Sequence, residues 1–126
     1  MYVEYNPNPL ARRVSDCAVR ALAKALGIDW ETAYVMLCVN GFQMGDMPSE
    51  KSVVSATLRQ QGFYREAIPN ECPDCYTAKD FCEEHPNGLY VLAFNDHIAT
   101  VKNGQLFDTW DSSDEVPLFV WHRKDD

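Results

Sequence analysis

A chain of 126 residues has room for one domain, 1–126, and not comfortably for two. Its hydrophobic share of 46%, with six tyrosines and six phenylalanines, excludes a disordered or low-complexity chain and supports a core without staples. The formal charge of −8, from 19 acidic and 11 basic residues, argues against direct nucleic-acid binding, because backbone phosphates are met by Lys and Arg.

The chain opens without a charged and then apolar leader, and no apolar run reaches membrane-spanning length. These features predict a soluble, cytoplasmic protein with no membrane contact. Five cysteines, an odd number, do not suggest a disulfide framework.

Met1–Arg13 carries Asn6-Pro7 and Asn8-Pro9, which favour an extended arm over a helix. Ser15 is the expected N-cap of a helix running to about Leu26 and closed by Gly27. On it Asp16, Arg20 and Lys24 form one narrow polar stripe, so the rest is expected to be buried, with alanines allowing close approach by a sheet. Asp29 caps a second helix, Trp30 to about Val39, and Asn40–Pro48 reads as a loop. A third helix runs from Ser49 to about Gln61, followed by a strand over Phe63–Ile68. Thr77 and Asp80 make a capping box for a short helix through Glu84. Leu89–Phe94 reads as a central strand buried on both sides, and Val116–His122 as the last strand. Helices gather in the first half and strands in the second. The expected fold is α+β, N-terminal helices packed on a C-terminal antiparallel sheet.

Cys17 falls in the first helical turn, where unpaired N–H groups and the helix dipole favour a thiolate. Asp16 beside it works the other way, by like charge. Two readings stand at this point, a nucleophile and a small buried hydrophobe.

Between Asn95 and Asp111 the pair Asn103-Gly104 separates two alternating runs, the signal of a two-residue type I′ hairpin. Lys102 then pairs with Gln105 and Val101 with Leu106, and His97 ends up opposite Trp110 and diagonal to Asp108, on one face. A histidine held by a carboxylate is half of a nucleophilic site; Cys17 supplies the other half. Trp110 is the candidate wall of a substrate cleft. A second constellation, Cys72, Cys75, Cys82 and His85, has the ligand types and short spacings of a structural zinc site, or else is core and loop, with His85 as a cation at a helix C-terminus. No other cofactor is expected.

Asp16-Cys17-Ala18-Val19-Arg20-Ala21 together with His97 and Asp108-Thr109-Trp110-Asp111 resembles the papain-like cysteine peptidase superfamily, specifically its small members carried by bacteriophages and prophages. The resemblance implies a minimal papain-like fold with Cys17 as nucleophile, His97 as base and Asp108 as the residue orienting it. It implies a hydrolase of peptide, isopeptide or amide bonds, or an acyltransferase, working in the cytoplasm of a bacterial host on a peptide or protein. The family's oxyanion glutamine is absent upstream of Cys17, where Asn6 and Asn8 are the amides on offer. The alternative is a catalytically inactive phage-encoded protein whose acidic surface binds and inhibits a host or defence protein.

Overall fold

The computed structural model describes residues 1–70 and 75–124. In chain order the elements are β1 (Tyr2–Glu4), α1 (Cys17–Leu26), α2 (Trp30–Met44), α3 (Lys51–Gln60), β2 (Phe63–Ala67), α4 (Ala78–Glu84), β3 (Leu89–Ala93), β4 (Ile98–Lys102), β5 (Gln105–Asp108) and β6 (Phe119–Arg123). The fold is α+β: four helices, mostly N-terminal, pack on a six-stranded sheet of order β1-β5-β4-β3-β6-β2. The sheet is antiparallel except at one edge, where β1 runs parallel to β5, pairing Tyr2 with Leu106 and Glu4 with Asp108. The arm therefore contributes a strand that its prolines did not advertise.

Helix α1 lies on one face of the sheet. Its alanines do what small residues permit: Ala21 is almost wholly buried, and Thr100 of β4 donates its hydroxyl to the Ala21 carbonyl at 2.7 Å. Leu22, Leu37, Val53, Leu58, Val91 and Trp121 fill the core between the first three helices and the sheet. On the opposite face Phe81 and Cys82 of α4 cover Leu92, Val101 and Leu106. Adjacent residues of β3, Val91 and Leu92, are both fully buried, one toward each layer, as a continuous apolar run requires.

The hairpin has the expected register, Lys102 opposite Gln105 and Val101 opposite Leu106, around Asn103 at φ 51° and Gly104 at φ 75°. Its shared face, with Ala99, Val101 and Leu106, looks toward α4 rather than α1. His97 precedes β4 by one residue and Asp108 ends β5, so both sit at the end of the sheet. There they escape strict alternation and meet the N-terminus of α1.

Several boundaries differ from the sequence reading; helix α3, for one, starts at Lys51 rather than Ser49. Helix α2 continues to Met44, five residues beyond Val39, and takes in half of the expected Asn40–Pro48 loop. Gly41 is not a breaker there; a Cβ on it would lie 2.8 Å from the Asp46 carbonyl oxygen, so glycine allows the chain to fold back. Asn40 is buried and ties α2 to α3 through Thr57 Oγ1 and Gln60 Oε1. The last strand starts at Phe119 rather than Val116, since Pro117 has no N–H for a ladder. The cap of α1 is Asp16, not Ser15, and its carboxylate makes no capping bond because it is engaged elsewhere.

Candidate active site

Cys17 is the first residue of α1, so its N–H has no partner within the helix. Its thiol is hydrogen-bonded to His97 and receives the backbone N–H of Ile98. The other side of the imidazole, Nε2, lies 2.5 Å from Asp108 Oδ2. The three residues that the sequence singled out, 80 and more positions apart at the extremes, thus form one relay. Trp110 lies beside the His97 ring, with centroids 5.0 Å apart, and Phe94 lies 5.8 Å from it. Trp110, expected on the wall of a substrate cleft, packs against His97 and is not among the residues lining the cleft that contains Cys17.

Asp108 has no exposed surface, and each of its carboxylate oxygens accepts two hydrogen bonds. Oδ2 takes His97 Nε2 and the Ser112 hydroxyl at 2.7 Å, while Oδ1 takes the Thr109 N–H at 2.8 Å and Arg20 Nη2 at 3.1 Å. Arg20, only 5% exposed, reaches the Asp16 carboxylate with its other terminal nitrogen, and Asp16 Oδ2 accepts the Trp30 indole N–H at 2.9 Å. Among the described residues no buried side-chain polar atom lacks a partner. Two members of the expected polar stripe, Asp16 and Arg20, are therefore buried site residues. Their four-residue spacing was visible, but their distant partners were not.

The electrostatics follow from these contacts. Burial pushes the Cys17 thiol up, yet the His97 hydrogen bond, the imidazolium charge, the Ile98 N–H and Arg20 together bring it below its ordinary value. Burial pulls His97 down, but its bonds to Asp108 and Cys17 and their charges raise it to about 9. Burial likewise disfavours the Asp108 carboxylate, and the His97 and Ser112 hydrogen bonds overcome it, holding the acid below the usual range. These directions favour a thiolate–imidazolium pair beside a fixed carboxylate. The opposition expected from Asp16 does not materialise, because Asp16 is neutralised by Arg20.

A cleft of about 540 Å³ opens over Cys17 and His97. Lys51, Arg65 and Asp96 stand among its walls, with Ala93, Phe119 and Trp121 supplying apolar surface. A second cleft of about 490 Å³, lined by Leu10, Trp30, Tyr34 and Met47, shares Ala18 and Ser49 with the first, so the two meet at the start of α1. Of the two oxyanion candidates, Asn6 commits its amide nitrogen to the Arg12 carbonyl at 3.3 Å. Asn8 accepts from Leu10 N–H through Oδ1, lines the second cleft, and keeps an amide N–H2 without a partner among the described residues.

The expected zinc quartet falls partly outside the described residues. Cys72 lies outside the described residues; Cys75 is disulfide-bonded; Cys82 is core; and His85, at the C-cap of α4, stacks on Phe81 and places Nδ1 2.9 Å from its carbonyl. Among the described residues no group of three or more His, Cys, Asp or Glu side chains is placed to hold a metal. Nor is any described helix long and apolar enough to cross a membrane.

No protein-family model matches the chain, and no curated protein or solved structure matches it either.

Proposed function

We propose that this chain is a papain-like thiol hydrolase or acyltransferase that attacks the carbonyl of a peptide, isopeptide or related amide. The observation that supports this most is the relay itself: a thiol, an imidazole raised to about 9 and a fully buried carboxylate, hydrogen-bonded in that order. A structural cross-strand pair has no need of a thiol on its third side or of a carboxylate saturated with four donors.

The thiolate Sγ of Cys17 attacks the carbonyl carbon, and the π electrons move onto the oxygen. The Cys17 N–H, free at the open helix start, is the backbone donor for that developing charge. Collapse breaks the C–N bond as His97 gives its proton to the leaving amine, leaving a thioester on Cys17 and a neutral imidazole. His97 then takes a proton from water, or from an acceptor amine, which attacks the thioester. The acid or new amide leaves, and the thiolate–imidazolium pair is restored. Asp108 holds Nε2 throughout and so keeps Nδ1 turned to sulfur.

The test is the pH dependence of iodoacetamide labelling at Cys17, read by mass spectrometry, in wild type and His97→Ala. Rapid labelling at neutral pH that falls at least tenfold in the variant is the expected result, to be followed by a screen of peptide and isopeptide substrates in which Cys17→Ala is inert. Slow labelling in both proteins overturns the proposal. The acidic interaction reading, supported by the charge of −8, would then take its place.

A further inference from the structure

The carboxylate that orients the base is itself oriented, and the device that does so lies on the helix carrying the nucleophile. A buried arginine is costly unless its charge and donors are met. Arg20 meets that condition with two carboxylates, Asp16 four residues earlier and Asp108 of β5, both nearly or fully buried. Its guanidinium fork fixes a direction as well as a charge, which an ammonium does not.

We propose that Arg20, braced by Asp16 and Trp30, is a positioning residue that sets the rotation of Asp108 and thereby aims His97 at Cys17. The assignment follows from which oxygen each donor uses. Arg20 and the Thr109 N–H occupy Oδ1, so Oδ2 is turned toward Ser112 and His97. Were Arg20 absent, Oδ1 would keep a single local donor from its own chain neighbour, and the carboxylate could swing about χ2. Asp16 keeps Arg20 from rotating in turn, and the Trp30 indole holds Asp16 on its second oxygen. Cys17 and Arg20 are three residues apart on α1, so one helical turn delivers the thiol and the brace for its base together. Arg20 touches none of the reacting atoms. Its positioning effect passes through Asp108; the direct pull of its charge on the Cys17 thiol is separate, and a lysine in its place retains that charge.

This inference rests on the proposed thiol–imidazole chemistry, and the two fail in different places. The experiment is an NMR titration of the histidine rings, with iodoacetamide labelling of Cys17 alongside, in wild type, Arg20→Lys and Trp30→Phe. The ionisable groups facing the array are Asp16 and Cys17 on α1, His97 before β4, Asp108 of β5, Tyr5 in the arm, which senses Arg20, and Tyr2 of β1, which senses Asp108. Arg20→Lys keeps the positive charge and removes the fork. The expected outcome is a His97 pKa at least one unit lower than in wild type, a labelling rate at neutral pH lower by about tenfold, and unmoved His85 and His122 as internal controls. Trp30→Phe removes only the indole N–H and is expected to shift His97 the same way by less.

An unchanged His97 pKa in a folded Arg20→Lys protein overturns the inference, for then charge suffices and direction does not matter. If Arg20→Lys does not fold, Trp30→Phe decides, and an unmoved His97 there overturns it equally. Failure of the underlying reading shows itself elsewhere, as a wild-type His97 titrating near its ordinary value with a sluggish Cys17.

Discussion

The Asn103-Gly104 turn made His97 and Asp108 legible, because a two-residue loop leaves one register and the register decides which side chains meet. Arg20 was not legible. Its spacing with Asp16 and Lys24 is that of a solvated stripe, and the carboxylate that draws it inward is 88 residues away. Ser112 was hidden in the same way, inside what read as a polar turn, yet it is fully buried and donates to Asp108. Ser112→Ala removes that donor and leaves Oδ2 with His97 alone. The expected cost is about 1–2 kcal/mol of stability, read as a lower midpoint in urea. An unchanged midpoint would mean that the Ser112 bond contributes nothing net.

At the scale of elements, the signals that held were local and physical. The Thr77–Asp80 capping box starts α4, and glycine closes α1 in the left-handed conformation at φ 66°. What local signals left out was the helical half of the Asn40–Pro48 segment and the pairing of the extended arm as a strand. Both are settled by long-range contacts, Gly41 by the returning Asp46 carbonyl and β1 by an open edge of β5. The seating of α1 on β4 is the element-level condition for the site, because the helix start carries Cys17 and the strand start follows His97. Ala21, almost wholly buried, accepts the Thr100 hydroxyl on its carbonyl where α1 meets β4. Ala21→Leu adds three carbons where there is no space. It should cost about 1–3 kcal/mol and, in the molecules that remain folded, lift the helix and slow Cys17 labelling. Thermal melting with labelling of the folded fraction checks both effects; wild-type labelling in a destabilised protein would mean the helix start is held independently of Ala21.

For the whole molecule, the pair of shifted groups makes a statement about stability against pH. His97 is raised from its ordinary 6.5 to about 9, so taken alone it contributes stability that is complete below 6.5 and is lost as pH rises through 9. Cys17 is lowered from 9.0, so its contribution is present above 9.0 and is lost as pH falls through its folded value. Above the folded Cys17 value and 6.5, and below 9, the folded pair holds one proton, on the imidazole, and the unfolded chain also holds one, on the thiol. Folding then takes up no proton from the pair, and the slope is zero over that range. On the acid side Asp108, held below its ordinary value, adds a loss as pH falls through its folded value. Stability should therefore be level from the folded Cys17 value or 6.5, whichever is higher, up to about pH 9 and decline at acid pH as Asp108 is protonated. Cys17→Ala separates the two halves of the balance. Without the thiol proton in the unfolded chain, the part of the His97 contribution that Asp108 supplies stands uncompensated, and the variant should lose on the order of 1 kcal/mol as pH rises toward 9 over the range where wild type stays level. Urea unfolding at one-unit pH steps reads the difference directly. Parallel curves for the two proteins would show that His97 and Cys17 titrate independently, and the ion pair on which the proposed chemistry depends would have to be given up.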